Sequence, residues 1–365
     1  MNKNSFGKIF SFTTWGESHG ESMGVVIDGC PSGIPLREED FFPAMRRRAP
    51  GNSPFTSPRK EPDIVRILSG TFEGKTTGTP ISLFIQNLHH NTKEYDQVKN
   101  VYRPGHASLG YSQKYGIYDY RGGGRSSARE TVCRVAAAVV AKKLLDHYDV
   151  QVLAYLSSVG DSEKIPCPEV FSISLRDATY NSPIFCPEKE LEKVFCANLQ
   201  EIRSQQDSLG GIVGFVTSPI PPGIGEPVYA KLPARLAEAM FSIPGVKGFE
   251  IGEGFSSSQY TGSNFTDEIG VINGEPCMKS NRCGGCLGGI SVGTPLIGAV
   301  AFKPTSSIGK PLNTVSCDNK ATPLSFHPQS SRHDPCIAIR AVPVVEAMIN
   351  LVLADLILWH RCTRL

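Results

Sequence analysis

Short runs of β-type composition at 23–27, 64–68 and 81–85, each flanked by Gly, Pro or Asp, predict strands in the N-terminal third. A different period takes over further on. Val132, Val135, Ala136, Val139, Val140 and Leu144 recur at helical spacing and predict a helix from Ser127 to about His147. Its start carries a capping box, with Ser127 at the N-cap and Glu130 three residues later. Leu191, Val194, Phe195, Leu199 and Ile202 form one stripe and predict a helix within 187–207. Residues 343–359 read as a helix with Pro343 in its first turn. That segment is apolar nearly all round, so it belongs between layers or at a subunit contact. Strands joined by turns are predicted at 210–217, 248–254 and 290–302, with a bend at 219–222 and a helix over 234–241. Residues 150–186 carry no usable pattern.

This mixture of helices and antiparallel-looking strands predicts an α+β class in layers, not a regular parallel αβ alternation. No composition break marks a linker, so residues 1–365 read as one domain. The 36 Gly and 27 Pro exceed average usage modestly and predict tight loops. Lys and Arg number 37 against 35 Asp and Glu, a net charge of +2, which argues against coating nucleic acid by bulk charge. The first ten residues contain no apolar signal core. The most apolar stretch, 342–359, contains Glu346 and Asp355, which argues against a membrane span. A soluble, cytoplasmic protein is the expectation. The eleven cysteines are scattered and read as reduced thiols. Cys283 and Cys286 form a C-x-x-C pair, but Cys277 and His327 do not complete a zinc set, so a buried apolar role is expected and no metal.

Candidate chemistry concentrates in a few segments. Gly16-Glu17-Ser18-His19-Gly20 places a histidine between small residues, where its ring either meets a ligand or bonds the backbone of a turn. In Arg103-Pro104-Gly105-His106, Pro and Gly bend the chain and present Arg and His together, as a solvated loop or as an anion contact. The run from Gly122 to Arg129 feeds glycines, hydroxyls and two guanidiniums into a helix start, which favours anion binding. It is neither a Walker A loop nor a Rossmann fingerprint. Arg46-Arg47-Arg48 ends a short helix, where the dipole alone favours cations. Lys303-Pro304-Thr305-Ser306-Ser307 sets a cation and three hydroxyls after an apolar strand. Asp334 is placed as N-cap of the C-terminal helix, with Pro335 at N1 and Arg332 and His333 just upstream. Together these fit phosphorylated small molecules with histidine proton donors, without naming a reaction.

Three of these segments resemble the signatures of the chorismate synthase family: 16–20, 121–131 and 332–336. Arg103 to His106, Tyr115-Gly116, residues 303–308 and Ile339-Arg340-Ala341-Val342-Pro343 fit the same family in the same order. The resemblance implies 1,4-anti elimination of phosphate from 5-enolpyruvylshikimate 3-phosphate to give chorismate, the last step of the shikimate pathway. It implies a need for reduced FMN without net redox change, with NADPH only indirectly as reductant. It also implies a β-α-β sandwich with helices between antiparallel sheets, and a homotetramer. By the same resemblance His19, beside Ser18, protonates the departing phosphate, His106 faces the flavin N1 edge, and Asp334, positioned by Arg332, relays a proton. Arg48, Arg103, Arg129 and Arg332 grip the substrate. Arg125, Ser126, Ser127, Pro244, Gly245, Gly288, Lys303, Pro304, Thr305, Ser306, Ser307 and Arg332 hold FMN.

The sequence departs from the family pattern at Ala49, at Pro54 in place of an expected Arg, at Ser108 in place of an acidic residue, and at Pro244-Gly245 in place of Asn-Ala. A family member with its own flavin reductase is one rival. The lack of an extra domain or long insertion favours dependence on an external flavin reductase. A nucleic-acid binder is the other, opposed by the near-zero net charge and by the scarcity of aromatics at the arginine loops.

Overall fold

A computed structural model of the chain describes residues 4–56, 61–88, 98–326 and 334–363. Two antiparallel sheets dominate the described residues. The first has strands in the order Ser5–Phe6, Ser11–Gly16, Ser22–Asp28, Ile81–Gln86 and Val65–Ile67. Its register pairs Val25 with Thr14 on one side and Leu83 on the other. Period-2 alternation puts Met23, Val25, Ile27, Ile81, Leu83 and Ile85 on one fully buried face. The second sheet runs Val246–Ile251, Pro295–Phe302, Gly211–Pro219 and Val152–Val159.

Two helices are packed against each other and against these sheets. Thr131–Leu145 lies on the inner strands of the first sheet, and Ala338–His360 lies on Val152–Val159 and Gly211–Pro219 of the second. A continuous cluster of buried apolar side chains runs through both sheets and both helices. Ile173–Asn181 covers the far face of the second sheet, where Leu153, Val216 and Ile297 meet Phe171, Leu175 and Tyr180. Val152–Val159 is therefore buried at every position. That double burial erases the alternation a one-sided strand would show, which is why 150–186 was unreadable.

Several boundaries move from the sequence expectation. The helix expected from Ser127 begins with a 3₁₀ turn, Ala128–Glu130, before the α-helix Thr131–Leu145. Ser127 does cap that turn, accepting from the Arg129 N–H at 3.3 Å. Glu130 does not close a capping box. It is buried, accepts from Thr14 Oγ1 at 2.8 Å and pairs with Arg134 at 2.9 Å, and those partners outweigh the local cap. The 290–302 run splits into Ile290–Ser291 and Pro295–Phe302.

The C-terminal helix starts at Ala338, not Pro343, and Ile337 is its N-cap, so Asp334 and Pro335 are not its cap and first residue. Pro343 is tolerated close to the start, where it removes one backbone hydrogen bond. This is the single helix among the described residues long and apolar enough to cross a membrane, and its most apolar window is wholly buried inside the protein. Its charged residues have internal tasks. Asp355 accepts the N–H groups of Lys8, Ile9 and Phe10 at 2.7–3.1 Å and so docks the N-terminal turn. Glu346 accepts from the Tyr180 hydroxyl at 2.9 Å and lies 3.4 Å from Arg47.

Candidate active site

The segment 17–20 follows the edge of Ser11–Gly16, and its turn is pinned by one side chain. Asn87 Nδ2 donates to the carbonyls of Glu17 (3.0 Å) and Gly20 (2.8 Å). Ser18 Oγ and His19 Nδ1 lie 3.0 Å apart. The His19 ring rests on Gly122, where a Cβ would overlap it. The next glycine, Gly123, carries the His106 ring in the same way, with Cε1 and Nε2 each 3.1 Å from where its Cβ would be. Both glycines have positive φ (67° and 94°), so only a residue without Cβ offers this backbone path and these close approaches at once. The glycine run thus brings two histidines far apart in sequence onto successive residues.

Around His106 the geometry is tight. Arg103 is buried, and its Nη2 lies 2.7 Å from His106 Nε2 and 3.2 Å from the Tyr118 hydroxyl. The Ser108 N–H donates to His106 Nδ1 at 3.2 Å, and Ser108 Oγ accepts from the Arg103 N–H at 3.0 Å. Ser108, where an acid was expected, therefore ties the loop together through a small hydroxyl. The loop is fastened to residues 303–306: Lys303 Nζ donates to the Gly105 carbonyl at 2.8 Å, and Ser306 packs on Gly105. Burial, with help from Lys247, pulls the Lys303 ammonium below the ordinary lysine range. Thr305 Oγ1 donates to the Asp334 carbonyl at 2.8 Å, which brings Asp334 to the same place.

The His106 loop, the 125–134 turn and helix start, and residues 241–246, 302–306 and 334–344 enclose a cavity of about 540 Å³, within the range of small-molecule sites; Ser18, His19, Arg103 and Arg129 are not part of its lining. His106, Arg125, Ser126, Pro244, Gly245, Lys303 to Ser306 and Asp334 line it together, as does Arg48. Phe302, Ile243, Ile337 and Val344 give it an apolar wall. Five cationic side chains face it against two carboxylates, Glu130 and Asp334. A second, larger cavity of about 830 Å³ shares the wall of Arg125, Glu130, Arg134 and Ser242 and is rimmed by Tyr111, Tyr115 and Tyr118. Anions are favoured in the first cavity by charge, and a flat ring is favoured by the apolar wall.

Other expected residues sit differently. Arg48 is fully buried, and burial together with the nearby Arg340 charge pulls its guanidinium down to about 10. It donates to Asp63 (3.2 Å), to the Ala128 carbonyl (3.0 Å) and to Thr131 (3.3 Å). Arg129 binds Asp63 (2.5 Å), Glu61 (2.8 Å) and Asn87 (3.2 Å). Both arginines thus brace the turn that leads into Thr131–Leu145. Arg125 donates to Thr14 Oγ1 (2.7 Å) and the Gly16 carbonyl (3.0 Å), and Ser126 donates to the Gly123 carbonyl (2.7 Å). Ser127 is occupied as a cap, and Ser307 is buried beside the cavity without lining it. Gly288 is not with the others. It lines a separate cavity of about 550 Å³ with Cys283, Cys286, Phe249 and Phe255, because its turn joins the small hairpin Cys286–Leu287 and Ile290–Ser291. Arg332, His333 and His327 lie outside the described residues.

Sequence reading missed Glu61, Asp63, Tyr118 and Arg134, which complete the polar shell. Arg134 had a readable signal, standing four residues after Glu130 on one helix face. Asp63 and Tyr118 had none, being brought in by tertiary contacts.

Comparison with known proteins gives a consistent result. The family model described as Chorismate synthase matches residues 10–358. The chain is 52% identical to the chorismate synthase of Protochlamydia amoebophila, with 100% of each chain covered. It is 48% identical to that of Novosphingobium aromaticivorans, with 99% of each covered. A crystal structure of a chorismate synthase superposes with a TM-score of 0.78 at 30% identity, covering 97% of this chain and 93% of that one.

Proposed function

The chain belongs to the chorismate synthase family, and we propose that the cavity beside His106 and Asp334 is where its chemistry takes place. The reaction removes phosphate from 5-enolpyruvylshikimate 3-phosphate, together with a proton from ring carbon 6, to leave chorismate. It is a lyase reaction that ends the shikimate pathway. The observation that carries the assignment of the cavity is its charge: five cations against two carboxylates, beside an apolar wall. A polyanionic substrate and a flat anionic cofactor are suited to such a lining.

Reduced FMN fits that lining. Lys303 and the Ser306 hydroxyl would hold its phosphate and polar edge, Ser126 and Thr305, whose hydroxyls are given to backbone carbonyls, would shape the wall beside it, and Pro244, Gly245 and Phe302 would flank its ring. The bound reduced flavin would supply electron density for C–O cleavage, with no net redox change. The chain's own residues do the rest. By family resemblance His19, with Ser18 at Nδ1, gives a proton to the departing phosphate; its ring lies on Gly122, next to the glycine that carries His106, and outside the cavity lining. Asp334 offers its carboxylate within the cavity as the proton relay, and Arg103 orients the His106 ring. Arg48 and Arg129, neutralised by Asp63 and Glu61, brace the wall instead of gripping the substrate, while Arg332 belongs to the substrate side by resemblance alone. His19→Ala lowers kcat by roughly 10²–10⁴ on this reading.

The finer assignments are parts of the same proposal. Residues 1–365 form a single domain built as a β-α-β sandwich, supported by the packing of the two central helices between the sheets. A homotetramer is supported by exposed apolar side chains on the hairpin of Ile269–Ile272 and Glu275–Met278. A cytoplasmic location is supported by all eleven cysteines being free thiols. Reduced flavin comes from an external reductase, with NADPH as the indirect reductant. Pro54, whose carbonyl accepts from Arg203 at 3.0 Å, offers no cation for a nicotinamide nucleotide phosphate. Aerobic NADPH consumption by the purified protein with FMN alone would overturn that part. No nucleic acid or membrane partner is proposed.

The assignment is tested by equilibrium titration of FMN against the intact protein and Lys303→Glu. Loss of at least tenfold in affinity is expected, from a reversed charge in the cavity. Equal affinity moves the flavin elsewhere.

A further inference from the structure

Arg340 stands in the first turn of Ala338–His360 and lines the same cavity as His106 and Lys303. Its Nη1 lies 3.3 Å from the Asp334 carboxylate. Its Nε is buried and, among the described residues, has no hydrogen-bond partner. A buried donor on a charged group is costly to leave unmade, so an arginine kept only for packing or for Asp334 would be expected to pair it. Its charge also bears on Arg48 more than any other neighbour's does. Arg48, however, already spends its donors on Asp63, Ala128, Arg129 and Thr131. Arg340 is therefore the cation at this end of the cavity that retains a donor for a ligand.

We propose that Arg340 is a further substrate-binding residue: its guanidinium, a quarter exposed at the cavity wall, donates to a carboxylate or phosphate oxygen of the substrate, while Nη1 keeps the Asp334 carboxylate in position. The substrate is taken as the source of that oxygen because the Arg340 charge bears on Arg48, which the family resemblance places with the substrate. Lys303 and the neighbouring hydroxyls occupy the part assigned to FMN. The inference rests on the assignment of the cavity made above.

The test compares wild type, Arg340→Gln and Arg340→Lys in two assays. One is anaerobic turnover with reduced FMN at varied 5-enolpyruvylshikimate 3-phosphate; the other is titration of FMN alone. In Arg340→Gln, KM for the substrate should rise about tenfold or more, as for a lost charge-assisted hydrogen bond. In Arg340→Lys the rise should be smaller, and FMN affinity should stay within about twofold in both variants. A merely structural role would lower kcat or the melting temperature and leave this split absent. Unchanged KM in both variants overturns the assignment. So does a matching loss of FMN affinity, which would put the anion on the flavin. Arg340→Lys carries the test should Arg340→Gln fold poorly. Wild-type turnover separates the two levels: if wild type releases no phosphate, the cavity assignment falls with the inference. If wild type turns over and the variants keep its KM, the role of Arg340 falls alone.

Discussion

His106 Nε2 lies 2.7 Å from Arg103 Nη2. With the Ser108 N–H 3.2 Å from Nδ1 on the other side, this contact fixes the plane of the ring. Arg103 is buried and bonds Tyr118 as well, so it acts as a rigid strut. Arg103→Ala should lower kcat by about 10²-fold through misplacement of His106. Steady-state kinetics checks this, with the melting temperature as a control for folding. Normal kcat in a folded variant would remove the orienting role.

Gly122 is the seat of the His19 ring, at a φ of 67°. Gly122→Ala should therefore do two things. It should cost about 1–2 kcal/mol of stability for a left-handed alanine, and it should lower kcat by about 10²-fold by displacing the imidazole. Gly110, inside Ser108–Tyr115 with nothing near its Cβ position, is the control. Gly110→Ala should leave kcat unchanged and raise stability by about 0.5–1 kcal/mol. Urea denaturation and turnover read both effects.

Asp63 is buried between two arginines, 3.2 Å from Arg48 and 2.5 Å from Arg129. Its φ of 45° is one that asparagine also adopts, so Asp63→Asn isolates charge from backbone strain. Removing the Asp63 charge leaves buried Arg48 without its carboxylate partner and Arg129 with Glu61 alone, at a cost of about 3–5 kcal/mol. Chemical denaturation should show that loss at neutral pH. A loss below about 1 kcal/mol would mean that the cluster is solvated.

Burial raises the Glu346 carboxyl above its ordinary value, against the opposing pull of Arg47 and the Tyr180 hydroxyl. A carboxyl with a raised folded pKa supports folding most fully at low pH. That contribution is lost as pH rises from the unfolded value, about 4.3, through the higher folded one. Glu346→Gln cannot ionise, so the wild type should lose stability relative to it across that window and run parallel above it. Melting curves from pH 4 upward test the sign. A wild type that gains on the variant with rising pH contradicts it.

Much of this was readable in the chain. The strand 23–27 and the helix face at 191–202 each bury one side, so their periods survive in the sequence; Thr131–Leu145 is buried almost all round and was legible because its larger apolar residues keep helical spacing among alanines. Val152–Val159 did not, because both of its faces are covered. The histidines and the glycine run were legible as motifs, since Gly122 and Gly123 are required by backbone shape. What could not be read was which arginines reach a ligand. Arg48 and Arg129 look like substrate grips until Asp63 and Glu61, far along the chain, turn up against them. The capping box failed for a similar reason: Thr14 and Arg134 bind Glu130 more strongly than the local turn does.

The account rests on flavin-dependent phosphate release inside the cavity of His106 and Asp334. Its most direct test is anaerobic incubation of the purified protein with 5-enolpyruvylshikimate 3-phosphate and chemically reduced FMN, following phosphate and chorismate together. Equal amounts of both should appear, with the flavin still reduced at the end and no product with oxidised FMN. Product formation without reduced flavin, or phosphate without chorismate, would contradict the account.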